Sequence, residues 1–175
     1  MTEATEATEV SSSLILEGGG NRGVFTAGAL DFLMEKDVKF PYVVGVSAGS
    51  CNALDYVSHQ PGRTRDCMIV EDKENSYIAT RAALKKHQLF DMDMVFDRYP
   101  NELFPFDFDT FFQSDIQCEM VVTNCLTGDA EYMSEKHDRQ RLMDIGRASS
   151  SIPLVSPAVE IDGVPWTEES QIPFP

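Results

Sequence analysis

The stretch that decides the fold is Leu14–Leu30, LILEGGGNRGVFTAGAL. Ser13–Glu17 (SLILE) is short, apolar and branched, and three glycines stop it, so it reads as a buried strand. From Arg22 to about Glu35 the apolar residues Val24, Phe25, Leu30, Phe32, Leu33 and Met34 recur at helical spacing, which predicts a helix with Asp31 and Glu35 outward. Lys36–Pro41 ends that helix. Tyr42–Val46 (YVVGV) is a second buried strand, followed by Ser47-Ala48-Gly49 and a helix from Ser50 to about Ser58. Strand, helix and strand within so short a span make a βαβ unit, with parallel strands and a right-handed crossover. The fold class is α/β.

Downstream the pattern is looser. Pro61–Arg65 reads as a turn or loop, and helices are expected over Ser76–His87 and Met92–Tyr99. Asn101–Phe112 (NELFPFDFDTFF) is aromatic and irregular, with Pro105 breaking any helix; burial statistics favour core over a pocket lining. Cys118–Met133 reads as strand, turn and strand, and Asp138–Ser149 as helix. Ser151–Pro157 reads as a proline-interrupted loop, and Ala158–Trp166 as a hairpin turning at Asp162-Gly163. One domain is expected over residues 14–175, after a low-complexity Thr/Glu/Ala tail over 1–13 that reads as disordered.

Composition narrows the function classes. Fourteen Lys+Arg against 29 Asp+Glu give a formal net charge of -15. Phosphate binding needs a basic footprint, so nucleic-acid partners are excluded, and docking on anionic lipid is disfavoured. A lipid substrate entering an apolar mouth, with transient membrane contact, stays compatible. No apolar run reaches the length of a membrane span. The start has neither a basic n-region nor an apolar h-region, so a cytoplasmic location is expected. Cys51, Cys67, Cys118 and Cys125 show no C-x-x-C pairing and read as buried reduced thiols. His59, His87 and His137 are scattered, so no metal and no cofactor are expected.

GGGNRG (Gly18–Gly23) satisfies G-x-G-x-x-G, which between strand and helix suggests a dinucleotide loop. Such a site wants an acidic residue ending the second strand to hold a ribose. Ser47 stands there, while Glu35 and Asp37 precede the strand. The second motif, GVSAG (Gly45–Gly49), is a G-x-S-x-G between strand and helix, the setting of a nucleophile elbow. Parallel strands joined by one helix bring their C-terminal ends to one sheet edge. The Gly18–Gly20 loop and Ser47 are therefore expected to be neighbours, with loop amides aimed at the oxygen that becomes negative when Ser47 attacks an acyl carbonyl. Arg22 would add positive charge or orient the loop.

Taken together, EGGGNRGVFTAGALD and VVGVSAGSCNAL resemble the patatin-like phospholipases, in particular their short bacterial branch, as do TNCLTGDAEYM, ASSSIPLVSP and IDGVP. The resemblance covers Leu14 to Pro165. It implies a three-layer α/β/α fold with a mainly parallel sheet, and a Ser–Asp dyad without a catalytic His. It also implies an acyl-enzyme on Ser47, an oxyanion loop of Gly18, Gly19, Gly20 and Arg22, and lipid acyl esters as substrates.

The resemblance breaks after IDGVP. The family pattern there continues Y-L-D-G-G-x-x-D-x-I-P, whereas this chain has WTEESQIPFP (Trp166–Pro175). Asp162-Gly163 is a D-G pair at the preceding hairpin turn, where such pairs are commonplace. Glu168 lies near the expected position of the base, without the following glycines. A permissible codon choice for Trp166–Pro175, shifted by one base, reads LDGGIADSIP. The tail is therefore expected to be out of frame relative to an intact ancestor, with the C-terminal part of the domain missing. A chain lacking its base is expected to be weakly active at best and poorly soluble. Two alternatives remain: an acyl-binding remnant without chemistry, and an α/β-hydrolase with a Ser–His–Asp triad using His137.

Overall fold

A computed structural model of the chain describes residues 8–9, 12–72, 75–78, 90–153 and 155–168. Its main sheet is mixed. Strands β2 (Ser13–Leu16), β4 (Tyr42–Gly45) and β5 (Gln117–Asn124) run parallel, with Leu14 beside Val43 and Val43 beside Cys118. β6 (Ala130–Met133), β7 (Val159–Ile161) and β8 (Val164–Thr167) complete it antiparallel, in the order β2-β4-β5-β8-β7 with β6 also on β5. A second, two-stranded sheet pairs β1 (Thr8–Glu9) in parallel with β3 (Val38–Lys39). Thr8 and Glu9 thus carry strand pairing inside the stretch that composition assigns to a disordered tail.

Helix α1 (Gly23–Glu35) joins β2 to the β3–β4 segment, and α2 (Ala48–Val57) follows β4 directly. The buried stripe of α1 is Gly23, Ala27, Leu30 and Met34, at helical spacing. Phe25 and Phe32, counted in the apolar pattern, face solvent instead at 85% and 57% exposure. Asp31, expected outward, is half-buried and accepts the Gly62 amide at 2.8 Å. α2 is buried almost all round because it lies between the sheet and α1. Its Leu54 and Val57 share one core with Val43, Met120 and Val122 of the strands. The same core takes Leu142 and Ile145.

Three segments depart from the sequence expectation. Pro61–Arg65, expected as a turn or loop, is helical in its last three residues: Arg63–Met68 form helix α3, started by Gly62 at φ +82°. Buried polar bonds hold it: Arg63 Nη1 and Thr64 Oγ1 both donate to the Asp55 carboxylate, at 2.7 and 2.6 Å. The helix expected to end at Tyr99 continues as a π-helix, Met94–Leu103, with Pro100 inside it. Its end shows the wider winding, the Phe104 amide reaching the Tyr99 carbonyl at 2.8 Å. The aromatic stretch after Pro105 contains helix α4 (Phe108–Gln113), whose N-cap Asp107 accepts from the Thr110 amide at 2.9 Å. Phe108 and Phe111 are core, as expected; Phe106 is core too but also lines a cavity, the reading that burial statistics set aside.

Helix α5 (Arg139–Ser149) is capped by Asp138 and packs on β5, β7 and β8. The β7–β8 hairpin turns through Asp162 (φ +54°) and Gly163 (φ +78°), a primed turn that matches strand twist. Most of the helix expected over Ser76–His87 lies outside the described residues. No helix among the described residues is long and apolar enough to cross a membrane.

Candidate active site

β2 and β4 are neighbours in parallel register, Leu16 beside Gly45, so their C-terminal loops leave the sheet at the same edge. The two glycines of G-x-S-x-G are set by contact. A methyl group on Gly49 would sit 2.1 Å from the Leu16 carbonyl oxygen, and one on Gly45 would sit 2.4 Å from the Gly49 oxygen. Real Cβ atoms do not come so near a backbone oxygen. The elbow is thereby pressed onto the end of β2.

Ser47 pays for this tightness with φ +55° and ψ -124°, a left-handed conformation that a side chain rarely adopts and that stores about 1–3 kcal/mol. Its backbone is tied on both sides. The Ser47 carbonyl accepts the Ser50 amide at 2.9 Å and the Ser50 hydroxyl at 2.6 Å, and the Ser47 amide donates to Ser149 Oγ at 3.1 Å. The Gly49 amide reaches the Val46 carbonyl at 2.7 Å. Of the first amides of α2, that of Ala48 is left without an acceptor among the described residues, as expected at a helix start.

The glycine loop lies against this elbow. A Cβ on Gly18 would stand 3.1 Å from Ser47 Cβ and 3.8 Å from Glu168 Oε1. Gly20 takes φ +54°, and Gly19, Gly20 and Asn21 line the same cavity as Ser47. Arg22 is exposed; its side chain lies over Gly19 and does not line the cavity.

The cavity has a volume of about 340 Å³. Its walls are mainly apolar: Leu54, Val95, Phe96, Tyr99, Phe106 and Met143. At its polar end Ser47 and Glu168 stand side by side, both within 3.8 Å of the point where a methyl group on Gly18 would lie. Burial pushes Glu168 above the usual carboxylate range, and the neighbouring Ser47 hydroxyl partly opposes that rise. Glu168 Oε2 is buried without a partner among the described residues. Asp162 is elsewhere: it sits on the exposed hairpin turn and binds Arg141 Nη2 at 2.8 Å.

His59 and His137 stand apart from Ser47. His137 is exposed, on the segment before α5, and His59 lines a second cavity at the other end of α2. His87 lies outside the described residues. Of the thiols, Cys51 and Cys67 line the Ser47 cavity and Cys118 is buried, and burial pushes each up to about 12. Cys125 is exposed, contrary to the reading of all four as buried.

Sequence reasoning gave no role to Ser149, Ala48 or Asn21. Asn21 is fastened by the Tyr77 hydroxyl, which donates to its side-chain oxygen. The helix-start position of Ala48 was the readable signal; the contacts of Ser149 and Tyr77 are long-range and left none.

The sequence profile of the patatin-like phospholipases matches residues 14–168. The chain is also 28% identical over 161 residues to an Escherichia coli (strain K12) protein named "Uncharacterized protein YjjU", an alignment covering 89% of this chain and 44% of that protein. It therefore spans less than half the length of that relative. With a matched profile over most of its length, parallel central strands flanked by helices, and both glycine motifs at one sheet edge, the chain belongs to the patatin-like phospholipase family.

Proposed function

We propose that this chain is a serine acyl hydrolase acting on lipid acyl esters, with Ser47 as nucleophile and Glu168 as the carboxylate base. The placement of the Ser47 side chain beside the half-buried Glu168 carboxylate, at the polar end of an apolar cavity, carries this reading. Glu168 would hold the position that family resemblance assigns to an Asp.

The geometry suits acyl transfer. Glu168 takes the hydroxyl proton as Ser47 Oγ bonds to the ester carbonyl carbon. The carbonyl oxygen, now negative, faces the glycine loop and the start of α2, where the amides of Gly19, Gly20 and Ala48 are the candidate donors; one such donor is typically worth ~3 kcal/mol of barrier. Glu168 returns the proton to the departing alcohol, leaving an acyl-Ser47 ester. Glu168 then takes a proton from water as the water oxygen bonds to the acyl carbon, and returns it to Ser47 Oγ as that C–O bond breaks and the acid departs. A raised carboxylate suits a base that must take and return a proton. The elbow glycines Gly45 and Gly49 hold the hydroxyl out, and Gly18 leaves room beside it. Arg22, exposed above Gly19, would stiffen the loop without touching the substrate.

The apolar walls favour the acyl chain over the headgroup. At ~30 Å³ per small group, about 340 Å³ holds roughly ten carbons. Among the described residues no His lines the Ser47 cavity, which weighs against a triad through His137, and Asp162 is engaged by Arg141 outside the cavity.

The test is labelling of the purified chain with a fluorophosphonate probe, together with hydrolysis of p-nitrophenyl octanoate. Labelling located on Ser47, and turnover abolished by Ser47→Ala and strongly reduced by Glu168→Gln, are the expected results. Octanoate binding without labelling would support an acyl-binding module instead.

A further inference from the structure

We infer that Ser149 is a positioning residue for the nucleophile, and that the end of α5 is the hinge from which both reacting side chains hang. This rests on the reading of Ser47 and Glu168 given above.

The argument starts from the strained backbone at Ser47. Its φ of +55° has to be held by the surroundings, since the residue itself disfavours it. The carbonyl side is held locally, by Ser50. The amide side is held from a distance, by the Ser149 hydroxyl at 3.1 Å. Ser149 is 0% exposed, so no solvent molecule replaces that acceptor when it is removed.

The next residues of the same turn fix the other partner. The carbonyl of Ser151 accepts the Glu168 amide at 2.9 Å and the Thr167 hydroxyl at 2.5 Å. Ser151 is itself pinned, its hydroxyl donating to the Arg147 carbonyl at 2.8 Å. Ser47 is thus referred to residue 149, the last of α5, and Glu168 to residue 151, just past its cap. The spacing between hydroxyl and carboxylate is set there.

A consequence concerns the oxyanion. Because the Ser47 amide is engaged by Ser149, it is not a donor to substrate, and that role falls to the loop and to Ala48.

The experiment measures the rate of fluorophosphonate labelling at Ser47 against pH, with melting temperature measured in parallel, for wild type, Ser149→Ala and Ser149→Cys. Cys is nearly isosteric with Ser and a much poorer acceptor. Both variants are expected to lower the high-pH plateau rate by about ten- to hundredfold, as a misplaced reacting group does, with the pH midpoint unchanged. Should Ser149→Ala fail to fold, Ser149→Cys carries the same expectation. A plateau within twofold of wild type in the folded variants, whatever their melting temperature, overturns the inference alone. Absence of any labelling at Ser47 in wild type overturns it together with the reading it rests on.

Discussion

The side chains of Ser47 and Glu168 stand together beside Gly18, although β5, β6 and α5 intervene between them along the chain. They meet because β8 pairs with β5, Thr123 beside Thr167, which delivers the residue after the strand to the edge where β4 ends.

Ionisation of Glu168 should govern both chemistry and stability. Burial raises it in the folded chain. The stabilisation it contributes is therefore fully present below its unfolded value and is lost as pH rises through its folded value. Glu168→Gln should raise the melting temperature at pH 8, with the gain vanishing at pH 4. The same variant should lower Ser47 labelling by about 10²–10⁴-fold. Wild-type labelling should fall as pH drops through the raised carboxylate value. Thermal melts and labelling rates across pH 4–9 check all three.

Gly49→Ala should be more damaging than a glycine replacement in an ordinary turn. The added methyl meets the Leu16 carbonyl oxygen at 2.1 Å, in backbone that has no room to retreat. Overpacking of this kind lies at the upper end of its range, about 3 kcal/mol. Gly128→Ala is the comparison: it has open space around it, and strain comes only from its φ of +81°. Urea denaturation of both variants should show the larger loss at position 49.

Arg63→Leu should destabilise the fold by about 3–5 kcal/mol, the usual loss when one partner of a buried pair is stranded. Asp55 is 3% exposed; burial raises its carboxylate, and Arg63 with Thr64 holds it down. The double variant Arg63→Leu/Asp55→Leu should recover much of the loss. A double-mutant cycle by chemical denaturation measures it.

Thiol titration should be strongly graded. Cys51, Cys67 and Cys118 are pushed up to about 12 and hold almost no thiolate at neutral pH. Ellman's reagent at pH 8 should react promptly with Cys125 alone, and with the other three only in denaturant.

The α/β core was legible because branched apolar runs and glycine stops are local signals. Ser13–Glu17 and Tyr42–Val46 announced strands β2 and β4 directly. What could not be read depended on partners distant in sequence. Arg63–Met68 looks like a loop until Asp55 supplies a buried anion for Arg63 and Thr64. Phe25 and Phe32 fit a helical pattern, yet only the position of α2 decides which side of α1 is inside. Asp107 before Phe108 was a readable cap, overshadowed by Pro105. The two glycine motifs pointed to each other through the parallel-strand rule. Glu168 could be named only by its proximity to a family position, because its meeting with Ser47 depends on the β5–β8 pairing.

The bare backbone of Gly49, lodged on the end of β2, has a mechanical meaning as well. The nucleophile and the strand feeding the glycine loop are locked like two teeth of a gear, so neither shifts without the other. Breathing that admits a bulky ester must come from the rest of the lining, which includes Tyr77, Phe90 and Ile152.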